Sequence, residues 1–340
     1  MTPVVAATSF VVRFRPVGAW RFGPDSGARD RVDLIYHSDA VYSAVCSAMV
    51  QLGTIEEWLD ATARSESGPA VRFSSFFPFQ GRTLLIVPPR NLWPPPEATK
   101  IRCKGARFVP LQVVESLLAE KSIDEDRWAV DGENECLIRH DAGRGPIRIV
   151  LRSHATLDRL EPGKSSSHAT ACLEFARDSG LWTVVQFADG SAAEKWQTRV
   201  QSAFRLLADT GFGGERSLGW GRSETPEWGV WNPPAAPENP EAPAERAHWL
   251  LSLYLASDND RVDWKRGNYS TLTRRGRIES GADWGALKPA TTMIAEGSVL
   301  LAAGRELLGE ARDTAPAGFP HPVYRAGFAV SIPIPWRAAA

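Results

Sequence analysis

The stretch TGFGGERSLGWGR, residues 210–222, concentrates five glycines in thirteen positions. Glycine adopts backbone angles that other residues avoid and lets a second backbone approach closely. The stretch follows an amphipathic helical pattern and precedes a strand-like segment at 224–231, so it is predicted to be a helix-to-strand loop. Bare amides flanked by the guanidiniums of Arg216 and Arg222 suit the binding of a phosphate backbone.

Two other glycine-rich motifs do not fit this stretch. A Walker A loop needs a Lys after its last glycine and lies between a strand and a helix. A Rossmann glycine motif also opens a helix. Here no Lys follows Gly219 and the helix comes first, which disfavours a nucleotide-binding α+β protein. A helix C-cap at Gly211 that runs into a tight turn remains an alternative interpretation.

The composition limits the possible classes of protein. With 340 residues, 43% of them hydrophobic, the chain can form two domains with a sizeable core. Its formal net charge of −1 creates no general attraction for nucleic acid, so any such site must be a local patch. No two of the four cysteines form a CxxC pair. No stretch of the sequence is long and apolar enough to cross a bilayer. These features predict a cytoplasmic protein that is not bound to a membrane.

The patterns on either side of the loop predict a strand, a helix, two or more strands, a helix and a strand, which is the ferredoxin-like order. The segment 88–147 interrupts this order and is expected to project from a sheet without a core of its own. A proline-rich linker at 233–245 is the expected domain boundary. The predicted elements are a strand at 4–14, a helix beginning at Ser38, strands at 71–77 and 84–87, a strand at 147–159, a hairpin at 173–187, a helix at 196–207 and a strand at 224–231.

These motifs together resemble the RAMP proteins of CRISPR effector complexes. More narrowly, the chain is similar to the fourth-subunit family of the type III-A (Csm) complex, in the Cas5-like group. The segments that carry the resemblance run nearly end to end: HSDAVYSAV at 37–45, FSSFFPF at 73–79, ATLDR at 155–159, GFGGERSLGWGR at 211–222, LSLY at 251–254, EGSV at 296–299 and HPVYRAGFAVSIPI at 321–334. The glycine loop followed by HPVYRAG is the most specific combination.

The resemblance implies an α+β fold with two ferredoxin-like (RRM-like) modules, residues 1–232 with the insertion and residues 246–340. It implies a non-catalytic subunit, without cofactor or metal, that holds the 5′ tag of the crRNA. The expected protein partners are a large Cas10-type subunit and RAMP backbone subunits, with target RNA contacted indirectly. The RNA-facing candidates are His37, Ser38, Lys100, Lys104, Arg107, Arg159, Gly211, Gly213, Gly214, Arg216, Ser217, Gly219, Trp220, Arg222, Arg274 and Arg275.

Three alternatives concern chemistry rather than binding. His37 could be the base of a RAMP-type endoribonuclease that processes precursor crRNA, although no partner group is evident in the sequence. His154 and Asp158 lie four residues apart on one strand face and could form an acid/base or metal pair. Two further pairs, Cys136 with His140 and His168 with Cys172, could form a zinc site, but their spacing is not a strong signature.

Overall fold

The computed structural model describes residues 8–24, 26–95, 104–157, 165–236, 245–279, 284–304 and 306–336. The α-helices in these ranges are α1 (Ser38–Gln51), α2 (Ile55–Ala61), α3 (Leu111–Leu118) and α4 (Gly190–Thr210). None of the helices described is long and apolar enough to span a membrane. The chain has the α+β fold class that the sequence predicts, with predominantly antiparallel sheets.

The strands of the first part are β1 (Ser9–Phe14), β2 (Val71–Phe73), β3 (Phe77–Gln80), β4 (Thr83–Ile86), β5 (Val109–Pro110), β6 (Trp128–Asp131), β7 (Cys136–Arg139), β8 (Ile147–Leu157), β9 (Ser165–Phe175), β10 (Ser179–Phe187) and β11 (Glu227–Val230). Those of the second part are β12 (Arg246–Leu250), β13 (Thr271–Arg274), β14 (Arg277–Glu279), β15 (Trp284–Leu287), β16 (Thr291–Ile294), β17 (Val299–Leu300), β18 (Ala311–Asp313), β19 (Tyr324–Ala326) and β20 (Ser331–Pro335).

The main sheet has the strand order β11-β1-β10-β3-β4-β5, and β2 also pairs with β10. Its pairs are antiparallel; Val12 of β1, for example, lies opposite Thr183 of β10 and Trp228 of β11. Helices α1 and α4 pack against each other and bury apolar side chains such as Val45 and Phe204 in the core. With α2 and the elements between β4 and β10 set aside, the chain up to residue 230 forms a strand (β1), a helix (α1), further strands (β2–β4 and β10), a helix (α4) and a strand (β11).

The segment 88–147 differs from the expectation of a projecting insertion. Strand β5 extends the main sheet, with Val109 opposite Ile86. Phe108, Val114 and Leu137 are buried in the main hydrophobic core. The described part of this segment therefore covers one end of the main sheet. This position removes its apolar side chains from water, which is favourable.

The prediction that residues 173–187 form a hairpin is wrong, because the two strands in this range do not pair with each other. A turn does separate β9 from β10, but β10 is already hydrogen-bonded to β1 on one side and to β2 and β3 on the other. Strand β9 instead pairs with β8 over eleven residues each, from Ile147 opposite Phe175 to Leu157 opposite Ser165. The exposure of Leu151, 59%, shows that this two-stranded hairpin extends beyond the core.

The second part of the chain is built from short strands. Strand β12 lies between β17 and β20, and the other strands form two-stranded sheets. No α-helix occurs among the described residues after 236, so a second ferredoxin-like module is not seen there. Trp249, Leu251 and Phe328 nevertheless belong to the same hydrophobic core as the main sheet. The two parts therefore share one core across the linker.

Candidate nucleic-acid interface

The two ends of the glycine loop are joined to each other by backbone hydrogen bonds. The amide of Gly211 donates to Leu207 O at 2.8 Å and closes helix α4. The next amide, of Phe212, donates to Gly221 O at 3.0 Å, and the amide of Gly221 donates to Ala19 O at 2.9 Å. Because both ends are fixed and Phe212 is buried in the core, the residues between them form a closed surface loop.

Four of the glycines are required by the loop's own conformation. Gly211, Gly213, Gly219 and Gly221 have positive φ angles of 99°, 76°, 78° and 82°. A Cβ at Gly211, Gly213 or Gly221 would also collide with a backbone carbonyl oxygen, that of Trp220, Arg21 and Phe212 respectively. These glycines therefore allow the chain to approach itself closely, so their role is structural.

The outer face of the loop, defined as Gly214, Arg216, Ser217, Gly219 and Arg222, is the part that a ligand can reach. All of these residues are exposed except Arg216, which is half-buried. The nearest atom to a Cβ at Gly214 would be Cδ of Arg21 at 3.6 Å, an ordinary van der Waals distance, and a Cβ at Gly219 would meet nothing within 4 Å. Two arginines, a serine and two glycines of the loop are thus accessible to solvent, Arg216 only in part.

Trp220 is inside the protein rather than on this outer face. Its side chain is 5% exposed and packs with Ala19 and Cys172. The guanidinium of Arg152 lies 5.6 Å from the Trp220 ring, and the His154 ring lies 5.9 Å away. The burial of Trp220 contradicts the expectation that it contacts RNA. Its side chain instead holds the β8–β9 hairpin against the loop.

Arg21, which was not predicted from the sequence, connects the loop to the hairpin. It is 7% exposed, and its Nη1 donates to Ala171 O of β9 at 2.6 Å. The same guanidinium donates to the carbonyls of Ala28, Arg29 and Arg31, while Arg21 O accepts from the Gly214 amide at 2.9 Å. Burial lowers the pKa of Arg21. The feature of the sequence that could have identified Arg21 is its position as a charged residue between Trp20 and Phe22, within an apolar segment.

His37 and Ser38 lie at the contact between the two parts of the chain, and both are 5% exposed. The Nδ1 atom of His37 is 2.7 Å from Oε1 of Glu296. Ser38 Oγ accepts from the amide of Leu253 at 2.9 Å. Their burial contradicts the expectation that they face RNA, because these polar atoms already bind the carboxyl-terminal part.

Arg274 belongs to the same buried contact. It is 9% exposed, and its Nε and Nη2 donate to the two carboxylate oxygens of Asp39 at 3.1 Å each. Arg325 Nη1 donates to Asp39 Oδ2 at 2.6 Å. Burial by itself would raise the pKa of Asp39, but the charges of Arg274 and Arg325 outweigh it and hold that pKa at about 2. Arg274 is therefore an ion-pair residue of the fold, contrary to its assignment as an RNA contact.

Of the remaining candidates for RNA contact, the structure describes some and not others. Lys104, Arg107 and Arg275 are exposed. Arg107 pairs with Glu135 at 3.7 Å and lies 5.6 Å from the Phe108 ring. Lys100 and Arg159 are outside the described residues.

The proposed zinc ligands do not converge. Cys136, His140, His168 and Cys172 all lie in the described part of the chain, and no three His, Cys, Asp or Glu side chains come together within that part. Cys136 is buried in the core, and burial raises the pKa of its thiol beyond its ordinary range. His168 instead stacks on His154 across the β8–β9 hairpin, with 5.5 Å between the ring centroids. Asp158 lies outside the described residues.

Comparison with known proteins identifies a family domain in the carboxyl-terminal part of the chain. Residues 244–334 match the family model of the CRISPR Csm4 C-terminal domain. This part of the chain is therefore Csm4-like. No curated protein sequence matches the chain significantly.

Solved structures share the Csm4-like fold over nearly the whole chain. A chain in the crystal structure of a Csm3–Csm4 subcomplex of the type III-A CRISPR-Cas interference complex superposes with a TM-score of 0.63 at 14% identity, covering 96% of this chain and 99% of its own length. A chain of a Csm1–Csm4 cassette in complex with cA4 gives a TM-score of 0.58 at 18% identity, covering 96% and 97%. At these identities the likeness establishes the fold.

Proposed function

We propose that this chain is a non-catalytic RNA-binding subunit of a type III-A CRISPR (Csm) interference complex in antiviral defence. In this role it holds the 5′ tag of the crRNA on the outer face of the glycine loop. It also docks the large Cas10-type subunit and contacts the RAMP backbone subunits. The observation that carries the proposal is the match of residues 244–334 to the Csm4 C-terminal domain, preceded in the same chain by an open, rigidly mounted glycine loop.

The electrostatics of the loop support the RNA component of the proposal. The chain has no net positive charge that would attract RNA to its whole surface. Arg216 and Arg222 instead place two guanidiniums beside backbone that is bare at Gly214 and Gly219. This combination suits contacts to phosphate and ribose, which do not select a base sequence.

The partner proposal draws on the solved assemblies. The fold relatives come from a Csm3–Csm4 subcomplex and from Csm1–Csm4 cassettes. We infer equivalent neighbours for this chain, with its exposed hairpin β8–β9 extended towards a backbone subunit.

The test is co-expression of the tagged chain with its genomic neighbours and a CRISPR repeat–spacer RNA, followed by native mass spectrometry. The proposal predicts an assembly that contains this chain, a large subunit, backbone subunits and one crRNA with its 5′ tag intact. A chain that is purified alone, free of RNA, would contradict it.

One observation favours a second candidate function, a RAMP-type endoribonuclease. His154 and His168 stack beside Trp220 of the loop, and Nε2 of His154 is buried without a hydrogen-bond partner. Two imidazoles can act as general base and general acid in RNA cleavage. Incubation of the pure chain with repeat RNA distinguishes the two functions: the assembly role predicts intact RNA, and cleavage that is lost in His154→Ala would establish the nuclease.

A further inference from the structure

A second surface of the protein combines aromatic rings with positive charge. Trp264, Lys265, Arg266, Gly267, Asn268, Tyr269 and Trp336 line an open cleft of about 670 Å³ in the carboxyl-terminal part. Trp264 and Tyr269 are 41% and 36% exposed, which is unusual for side chains of this size. Among the described residues that line the cleft, the three aromatic rings provide the large apolar side chains.

The rings of the cleft are held in fixed positions. Trp264 and Tyr269 meet edge to face, with 5.4 Å between centroids and 76° between planes. A Cβ at position 267 would lie 3.0 Å from Cδ1 of Tyr269, so Gly267 gives the Tyr269 ring its space. An edge-to-face pair immobilises both rings and leaves ring faces available for a third aromatic group.

The backbone around the cleft is anchored on both sides. Before it, the amide of Asp263 donates to Leu301 O at 2.9 Å; after it, Asn268 exchanges two hydrogen bonds of 2.9 Å with Val299. The amide of Trp336 donates to Glu245 O at 2.7 Å and anchors the backbone that carries the third ring. The cleft is therefore formed before any ligand binds, which lowers the entropic cost of binding.

Two cations complete the cleft. The guanidinium of Arg266 lies 6.0 Å from the centre of the Trp336 ring and is also paired with Glu245. Lys265 is exposed on the same turn. Aromatic faces for bases next to cations for phosphates are the elements with which proteins bind single strands.

We propose that this cleft binds a base and the adjoining phosphate of a single-stranded nucleic acid. The base stacks on Trp264 or Tyr269, and Lys265 contacts the phosphate. None of its residues belongs to the outer face of the glycine loop, and the inference does not depend on the role proposed for that loop.

The experiment uses the purified full-length chain and a ten-nucleotide single-stranded RNA that contains 5-iodouridine. Irradiation should link the base to Trp264, Tyr269 or Trp336, as identified by peptide mass spectrometry. In anisotropy titrations, Trp264→Ala and Tyr269→Ala should each weaken binding about tenfold, whereas Trp264→Phe, which retains a ring face, should bind nearly as wild type does. Lys265→Gln should reduce the salt dependence by about one unit or less.

Controls distinguish binding at this cleft from binding at the glycine loop or at any exposed ring. Phe319→Ala removes another ring, a half-buried one that meets His321 edge to face at 4.9 Å, and should leave RNA binding unchanged. An abasic strand should bind the wild type as weakly as the RNA binds Trp264→Ala, and uridine monophosphate should compete poorly with the strand. Crosslinks should persist at the cleft in Gly214→Val, which tests the loop alone.

Several results would overturn the proposal. One is a folded Trp264→Ala variant that binds RNA as wild type does, with crosslinks only at the glycine loop; this result would leave the proposed role of the loop intact. Equal competition by uridine monophosphate would assign the cleft to a free nucleotide instead. Loss of a protein partner from Trp264→Ala, without any loss of RNA binding, would make the cleft a protein-docking surface.

Discussion

At the scale of single residues, neighbouring glycines of the loop have opposite roles. Gly213 has a positive φ and faces the carbonyl oxygen of Arg21, whereas a Cβ at Gly214 would make only ordinary contacts with Arg21, the nearest at 3.6 Å. We therefore expect Gly214→Val to melt at the wild-type temperature but to retain less crRNA in the purified complex. The matched variant Gly213→Val should be destabilised by about 2 kcal/mol or more, as measured by denaturant unfolding. Equal melting temperatures and equal RNA retention for both variants would contradict this assignment.

The charge of the loop makes a separate prediction at the same scale. Arg216→Ala should weaken RNA binding whatever the base sequence and reduce the slope of log affinity against log salt by about one unit or less, as the loss of one phosphate contact does. The measurement is a salt series of anisotropy titrations with two unrelated single-stranded RNAs. A change in the preference between the two RNAs would instead indicate that Arg216 contacts a base.

The ionisation of Asp39 makes the free energy of unfolding depend on pH in the acid range. Its pKa is about 2 in the folded chain, below the ordinary value near 3.9, so the carboxylate stabilises the fold fully above about pH 4. This contribution decreases as the pH falls from about 4 to 2. Asp39→Asn should lose about 3–5 kcal/mol at pH 7, because Arg274 and Arg325 remain buried without their counter-charge.

The check is a series of denaturant titrations between pH 7 and pH 2.5 for the wild type and Asp39→Asn. The wild type should be more stable than Asp39→Asn by a constant free energy above pH 4, and this difference should become smaller below pH 4. A difference that does not change over this range would show that Asp39 does not titrate as the ion pairs require. Arg148, whose ion pair with Glu174 is exposed, provides a control: Arg148→Gln should change stability by less than about 1 kcal/mol.

At the scale of elements, the β8–β9 hairpin can be shortened without touching the core. Replacing residues 156–166 by Asn-Gly leaves the Ala155–Ser167 pair as the last rung and retains His154 against Trp220. Asn-Gly favours the tight turn that this rung needs. We expect an unchanged melting temperature and weaker assembly with the backbone subunit and crRNA, measured by co-purification. Normal assembly of the shortened chain would remove the hairpin from the interface.

The sequence predicted some elements well and others badly, for physical reasons. Helices α1 and α4 were predictable because their apolar residues recur at helical spacing over about three turns. The pairing of β9 was not, because local turn residues near Asp178 indicate a bend and not which strand lies alongside. The burial of Phe108 and Leu137 was hidden by the irregular, charged sequence around them.

The conformation of the glycine loop could be predicted from the sequence only in part. The glycines and the arginines of residues 210–222 identified a loop that is indeed open on one face. That Gly213 faces inwards depends on Arg21, about 190 residues away in sequence, and no local pattern encodes such a contact. The burial of His37 and Arg274 likewise arises only when the two parts of the chain pack together.

At the scale of the whole molecule, the shared core predicts cooperative unfolding. Trp249 packs in the core of the main sheet, and its Nε1 donates to Val87 O at 3.1 Å. The buried Arg72 donates to Leu307 O and Ala329 O. Calorimetry should therefore show a single endotherm for the full chain, and residues 1–236 expressed alone should expose apolar surface and bind a hydrophobic dye. Two separate endotherms would mean that the parts fold independently.

The central claim is that the outer face of the glycine loop holds the 5′ tag of the crRNA. The most direct measurement places 4-thiouridine within the tag of a crRNA, assembles the complete complex around it, irradiates it and maps the linked peptides. We predict links to this chain between Gly213 and Arg222, and their loss in Gly214→Val. Links from the tag to other subunits alone, with residues 213–222 unmodified in an intact complex, would contradict it.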